Sequence, residues 1–280
     1  MTDTAWSPLR DDVTKSCEGR VALDVEGRVA TLTINRPDKL NAIDSSVLTG
    51  VRTALSGIED SQSIGAVVLR GAGRAFSAGG DLEEVSALVR DKVRFSAFLD
   101  NWHESLLRLQ NTPLPTVAAV HGFAFAGGFE VTQACDFVVM ARDAVLGDQH
   151  ANFGLFPAGG STHRLPRMIA PRAAKWMLMS GEAIDSATAL GLGLANRVVD
   201  DSDVFAEARR MALTLSSKSR SDNAAIKAAV HLGADRPLTE AIAAERHIAL
   251  DQMASADAQT GFAAFRSRTE PVFNSTNSSS

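Results

Sequence analysis

The chain has 280 residues, 45% of them hydrophobic and 22% charged, with a formal net charge of −5 and a pI of about 5.7. That composition belongs to a globular protein with a sizeable core, and the length suits one large domain or a large domain with a small appendage. No basic run is long enough for a nucleic-acid footprint, Met1-Thr2-Asp3-Thr4-Ala5-Trp6 has no apolar h-region, and no stretch approaches a membrane span, so neither nucleic acid nor membrane is an expected partner and a cytoplasmic location is expected.

Residues 1–19 are polar and aperiodic and are expected to be loose. From Arg20 to Asn35 two strands are predicted about the turn Glu26-Gly27, with alternation along Val29-Ala30-Thr31-Leu32-Thr33-Ile34. Arg36-Pro37-Asp38 ends that run. Asp44 reads as an N-cap, and Val47, Val51, Ala54, Leu55 and Ile58 follow at helical spacing. A strand is predicted over 63–70. A helix is predicted over 93–110, with Phe95, Phe98, Trp102, Leu106 and Leu109 on one face. Residues 116–136 read as strand, turn and helix, and Phe137-Val138-Val139-Met140 as a further strand. This β-α-β-α alternation predicts an α/β fold with crossover helices. Past residue 159 helices dominate, over 160–169, 171–180, 185–191, 202–216, 221–232 and 236–253. A soft boundary falls near 200. The expected division is a loose 1–19, a core over 20–200, a helical appendage over 201–273 and a disordered tail over 274–280. Cys135 lies in an apolar run far from Cys17, so a buried thiol is expected rather than a disulfide or a ligand. Cys and His show no metal-ligand spacing, and no metal is expected.

Two short glycine turns stand out: Ser77-Ala78-Gly79-Gly80-Asp81-Leu82, and Ala124-Phe125-Ala126-Gly127-Gly128-Phe129-Glu130. Each follows an apolar β-type run and opens a predicted helix. Such a turn points free backbone N–H groups outward, at the positive end of the helix dipole. Two of them can aim two N–H groups at one oxygen, which is how an oxyanion hole is built. Glycine matters because it lets a backbone come this close to a ligand.

Five segments occur in order: Ile34-Asn35-Arg36-Pro37-Asp38-Lys39-Leu40-Asn41-Ala42; Arg74-Ala75-Phe76-Ser77-Ala78-Gly79-Gly80-Asp81-Leu82; Pro115-Thr116-Val117-Ala118-Ala119-Val120-His121-Gly122 running into Gly127-Gly128-Phe129-Glu130; Gly154-Leu155-Phe156-Pro157-Ala158-Gly159-Gly160; and Gly191-Leu192-Gly193-Leu194-Ala195-Asn196. Over roughly 20–273 the chain resembles the crotonase family, also called the enoyl-CoA hydratase/isomerase family. The resemblance implies a spiral of ββα repeats with a C-terminal helical trimerisation region, assembled as trimers or pairs of trimers. It implies an acyl-CoA substrate whose enolate is stabilised at the thioester oxygen. Coenzyme A then enters as part of the substrate, and no other cofactor is implied. The oxyanion N–H groups would come from Gly80 and Gly127. The adenine end of CoA would lie against Lys39, Leu40 and Ala42, and against Ala78, Asp81 and Leu82. Lys39 is either a phosphate contact or a solvated loop lysine. The helix over 93–110 would line the acyl pocket, with Trp102 as pocket wall or plain core, and His103 a candidate base if that face meets the acyl group. Phe262, Arg268 and Phe273 sit in a stretch that in the family often serves a neighbouring subunit's site. Core packing is the role expected here for Phe262 and Phe265.

One departure bears on the chemistry. By resemblance, hydratases hold one water between two glutamates. The first matches Glu130. The second should lie four residues before Gly154, where this chain has His150. An imidazole can still transfer protons near neutral pH. In an extended segment residues i and i+2 face one side, so Asp148 is expected to orient His150. Glu130 and His150 are the expected acid–base pair, or else a helix-start carboxylate and a pocket histidine without catalytic work. His121, His163, His231 and His247 read as surface or structural residues.

The resemblance implies an enzyme, most simply an enoyl-CoA hydratase-like lyase. The alternatives are an isomerase, against which the missing glutamate counts; a hydrolase of the same fold, cleaving a thioester or a β-dicarbonyl C–C bond; and an acyl-CoA binder without turnover. RNA binding is disfavoured, because Arg52 is the lone basic residue of the helix after Asp44.

Overall fold

The computed structural model describes residues 3–273, so the tail over 274–280 lies outside the described residues. Where a loose segment is expected, the chain forms helix α1 (Ser7–Ser16), with Pro8 at its start, where a missing N–H costs nothing. Its anchor is tertiary. A Cβ on Gly57 would come within 2.2 Å of Leu9 Cδ1, and one on Gly50 within 2.8 Å of Cys17 Sγ. Helix α1 therefore sinks into a notch left by two glycines, and Val13 and Cys17 are buried.

Strands β1 (Val21–Glu26) and β2 (Val29–Ile34) make the hairpin expected about Glu26-Gly27, with Val21 opposite Ile34. Asp44 caps α2 (Ser45–Asp60), accepting from Val47 N at 2.9 Å. Then come β3 (Ala66–Gly71), α3 (Leu82–Leu88), α4 (Lys92–Asn111), β4 (Thr116–Val120), β5 (Phe123–Phe125), α5 (Gly127–Ala134), β6 (Phe137–Ala141) and β7 (Val145–Gly147). The remainder is α6 (Ser161–Met168), α7 (Pro171–Ser180), β8 (Ile184–Asp185), α8 (Ser186–Leu192), β9 (Arg197–Val199), α9 (Val204–Ser216), α10 (Arg220–Gly233), α11 (Leu238–Met253) and α12 (Ala256–Ser267).

The large sheet runs β1-β2-β3-β4-β6-β9 and is parallel beyond the first hairpin. Parallel neighbours need crossovers, and the helices supply them. Every residue of β4 is buried, as a strand covered on both faces should be. A small sheet, β5-β7-β8, forms a second layer. Isolated parallel bridges, Ile43 to Gly80 and Ser77 to Ala124, extend that layer to the earlier turns. Each circuit thus repeats a long strand, a sharp turn, a short extended piece and a helix, and the circuits stack as a spiral. The stacking sets the start of α3 beside the start of α5.

Helix α9 lies across β3, β4 and β6, with Ala208 and Ala212 fully buried. The boundary near 200 is therefore no break in packing, because α9 covers the sheet. Beyond it, Ala264 is the one buried residue of α10, α11 and α12. Phe265 is 85% exposed and Phe262 48%, so the core packing expected for both is absent in the single chain. Cys17 and Cys135 are free buried thiols, and burial pushes that of Cys135 up to about 12. Among the described residues no helix is long and apolar enough to cross a membrane.

The loop between β2 and α2 hangs on one side chain. Leu40 and Asn41 are both left-handed, at φ 52° and 57°. Buried Asn41 accepts from Arg36 N at 3.0 Å and donates to Ala72 O at 2.7 Å and Ala75 O at 2.8 Å. Replacing Asn41 by Ala leaves those groups unsatisfied and should cost about 2–4 kcal/mol, read as a lower urea midpoint at unchanged slope. A wild-type midpoint would show that the loop is held otherwise.

Candidate active site

The turn after β3 is fixed by Ser77, whose buried hydroxyl donates to Asn41 O at 2.8 Å and accepts from Gly79 N at 3.1 Å. Gly79 has φ +111°, which an L side chain rarely adopts, and a Cβ there would lie 3.2 Å from Gly127 N. Opposite, Ala126 precedes α5 at φ 46° and ψ −118°, held by its N–H to Gly147 O at 2.9 Å. A non-glycine residue in such a conformation costs on the order of 1–3 kcal/mol and marks a place where the surroundings over-determine the backbone. A Cβ on Gly127 would come within 3.1 Å of Gly80 N. The two glycines expected from the sequence are thus side by side. Among the described residues neither Gly80 N–H nor Gly127 N–H has a protein acceptor. Gly127 also begins α5, so its N–H lies at the helix's positive end. Two donors are free to meet one oxygen.

Glu130 stands one turn into α5 and is 2% exposed. Its Oε1 accepts from Gly159 N at 2.8 Å. Burial pushes its carboxyl up to about 7; the positive charge of His150 and the Gly159 N–H oppose that rise, and the charge of Asp148 adds to it. Gly159 is steric as well: a Cβ there would fall 1.9 Å from Glu130 Oε2 and 2.4 Å from Trp102 Nε1.

His150 opens a 3-10 turn, His150–Phe153, and its Nδ1–H donates to Asp148 Oδ1 at 2.8 Å. Asp148 is fully buried. Burial works against charge on His150, but the hydrogen bond and charge of Asp148 outweigh it and hold the imidazole above its ordinary value. Nε2 is left without a protein partner among the described residues. The expected pairing of Asp148 with His150 is present, but not through extended alternation. Gln149 is left-handed at φ 63°, and His150 N bonds back to Asp148 O at 2.8 Å. A tight turn does what the strand period was expected to do.

Trp102 is 4% exposed and lies over the glycines: Cβ atoms on Gly127 and Gly80 would be 2.5 Å and 3.8 Å from its ring. His103 does not stand free as a base, because its Nε2 is bonded to Ala158 O at 2.6 Å. The bond ties α4 to the loop that carries Gly159. Arg164 holds the same loop, donating to Gly159 O at 3.0 Å and Gln110 Oε1 at 2.9 Å. The sequence reading missed Gly159 and Arg164 as parts of the site. The one signal was the glycine pair Gly159-Gly160 at the start of a predicted helix.

At the rim, residues 40–43 run beside 78–81. Ala78 N donates to Leu40 O at 2.9 Å, and Ile43 N to Gly79 O at 2.8 Å. Leu40, Ala42, Ala78 and Asp81 are thereby brought together, with Leu82 exposed beside them. The Asp81 side chain is committed to the fold, bonding Glu83 N at 3.0 Å and Arg36 at 2.8 Å. Burial works against its charge, yet Arg36 holds its carboxyl below the ordinary value. Lys39 is exposed and reaches Glu83 at 3.2 Å, a contact of little strength in water.

Residues 24–276 match the family model described as Enoyl-CoA hydratase/isomerase. A probable enoyl-CoA hydratase of Mycobacterium tuberculosis is 33% identical over 253 residues, covering 90% of this chain and 97% of that protein. The crystal structure of an enoyl-CoA hydratase from Polaromonas sp. JS666 superposes with a TM-score of 0.87 at 31% identity, covering 91% of this chain and 99% of the other. An enoyl-CoA hydratase subunit from Geobacillus kaustophilus gives 0.86 at 33% identity, covering 92% and 98%.

Because the folded chain holds Glu130 at about 7 against an ordinary 4.5, the fold favours the neutral acid. That contribution is complete below the unfolded value and is lost as pH rises through about 7. Glu130→Gln should therefore gain stability over wild type between pH ~5 and ~8, by on the order of 2–3 kcal/mol. Urea midpoints at both pH values check this, and a pH-independent difference would contradict it.

Proposed function

The chain belongs to the enoyl-CoA hydratase/isomerase family, and from that premise we propose that it adds water reversibly to the double bond of a trans-2-enoyl-CoA. The observation that carries the reading is the alignment of two unpaired N–H groups, Gly80 and Gly127, beside a buried carboxyl and an Asp-backed imidazole. In this reading the thioester oxygen accepts from both glycines. Glu130 takes a proton from water as its oxygen bonds C3, and the π electrons move to the thioester oxygen as an enolate. They return to form the C2–H bond with the proton on His150 Nε2. Transfer of the proton from Glu130 to His150 resets the pair. Each oxyanion donor of this kind is worth about 2.7–4 kcal/mol where one has been removed, and a positioned acid or base about 10²–10⁴-fold in rate. A carboxyl near 7 is well matched to that work.

Coenzyme A enters as part of the substrate, its adenine end along Lys39, Leu40 and Ala42 and along Ala78, Asp81 and Leu82. The bridged backbones of 40–43 and 78–81 support that placement. We place Trp102 on the acyl pocket wall. Exposed apolar side chains on α10 to α12, among them Ile226, Val230, Met253 and Phe265, favour self-association as a trimer or a pair of trimers. Isomerisation fits less well, because His150 replaces the carboxylate that would shuttle the proton. One observation favours hydrolysis as a second reading: an imidazole backed by a buried aspartate can also activate water at the thioester carbon.

Product analysis decides between them. Hydration consumes the conjugated double bond without releasing CoA; hydrolysis releases CoA; loss of neither over short, long and aromatic enoyl chains would sink both. If hydration holds, Glu130→Gln and His150→Ala should each lower kcat/KM about 10²–10⁴-fold. If both leave turnover intact, the assignment of the pair is wrong. Glu130 must be ionised and His150 protonated, so kcat/KM should be bell-shaped, rising through about 7 and falling as the pair loses its last proton. Asp148→Asn removes the anion that holds His150 up, and so should move the alkaline limb to lower pH. An unmoved limb would take His150 out of the proton path.

A further inference from the structure

We propose that Trp102 closes the far end of the acyl site and that its indole N–H donates to the oxygen at C3, which makes the substrate a short thioester of the four-carbon class. The inference rests on the reading above for where the acyl group lies. With the thioester oxygen on the Gly80 and Gly127 N–H groups, C2 and C3 point toward Glu130. The ring stands there. A Cβ on Gly127 would lie 2.5 Å from Trp102 Cζ2, and one on Gly159 would lie 2.4 Å from Nε1. Behind the indole is Phe98, with centroids 5.8 Å apart, and behind that Phe95, stacked at 6.1 Å. The ring is backed by aromatic packing in the middle of α4, so a long chain has no straight path past it.

The indole N–H carries the second half of the argument. Buried tryptophan N–H groups ordinarily find an acceptor. Trp102 Nε1 is buried with none among the described residues. It lies close to Glu130 Oε2, since a Cβ built on Gly159 would clash with both, 2.4 Å from Nε1 and 1.9 Å from Oε2. A donor and an acceptor this close together can share one water molecule, which gives a proton to the carboxylate and accepts from the indole. After addition that oxygen is the C3 hydroxyl, and it keeps the indole donor. Had Trp102 been core alone, its N–H would gain nothing by facing the site, and its replacement would affect all acyl groups alike.

Equilibrium binding tests this without turnover. Calorimetry of the full chain with butyryl-CoA, 3-hydroxybutyryl-CoA and decanoyl-CoA should give decanoyl-CoA a Kd about tenfold or more above that of butyryl-CoA. Trp102→Ala should narrow that gap to roughly threefold. Trp102→Phe keeps a ring and removes the donor. It should weaken 3-hydroxybutyryl-CoA about tenfold while butyryl-CoA stays within about twofold. Thermal melts check folding; if Trp102→Ala fails to fold, the wild-type series and Trp102→Phe still decide. Decanoyl-CoA binding wild type as well as butyryl-CoA overturns the proposal, as do equal losses for all three ligands in the variants. A chain that shows the predicted selectivity but hydrates no enoyl-CoA overturns the hydration reading alone. One that binds no acyl-CoA overturns both.

Discussion

The site exists because two main-chain turns touch, and they touch only where side chains are missing. A Cβ on Gly79 would crowd Ala126 at 2.8 Å, and one on Gly128 would crowd Ser77 O at 2.7 Å. The contact leaves the N–H groups of Gly80 and Gly127 beside one another, each without a protein acceptor among the described residues. The spiral makes the contact possible. Successive strands β3 and β4 are parallel neighbours in the large sheet, so the turns that follow them meet in the layer above. The strained backbone of Ala126 sits where the two turns join, held by Gly147 from the next circuit. Three circuits of the fold therefore converge on two hydrogen-bond donors.

The electrostatics of the site are asymmetric. Two carboxylates in one dry pocket would repel, and each would raise the other's pKa. Here Glu130 is raised mainly by burial, while the imidazole in the second position counters that rise. The imidazole in turn leans on Asp148, whose Oδ1 accepts from His150 and whose second oxygen has no partner among the described residues. The order is acid, base, acid, with the base in the middle. That arrangement holds the imidazole above its ordinary value, through Asp148 and against burial, near a carboxyl pushed up to about 7. In the proposed hydration it would stand in for a pair of glutamates.

What the sequence disclosed follows from range. The hairpin about Glu26-Gly27, the Asp44 cap and the apolar face of α4 are local patterns, and each is found where its period places it. The glycine turns were legible because they recur after strands and before helices. Helix α1 was not, since Ser7–Ser16 carries few apolar residues and is held by a glycine notch on α2, far along the chain. The three- and two-residue strands β7 and β8 are too short for a period. Asp148 and His150 were paired correctly for an incorrect reason, because a left-handed Gln149 makes the turn that alternation was expected to make. Gly159 and Arg164 escaped notice because their partners, Glu130 and Gln110, lie about 30 and 50 residues away in sequence and meet them only through tertiary packing.

In the proposed reaction a carboxyl and an imidazole together move protons at C3 and C2 of an enolate held by two backbone N–H groups. The most direct measurement is the fate of crotonyl-CoA in D₂O, followed by NMR and mass spectrometry of the product. Hydration through that pair gives 3-hydroxybutyryl-CoA with one deuteron at C2, delivered to a single face, and no free CoA. Product with CoA released and no deuterium at C2 would contradict it, because no enolate would then have formed.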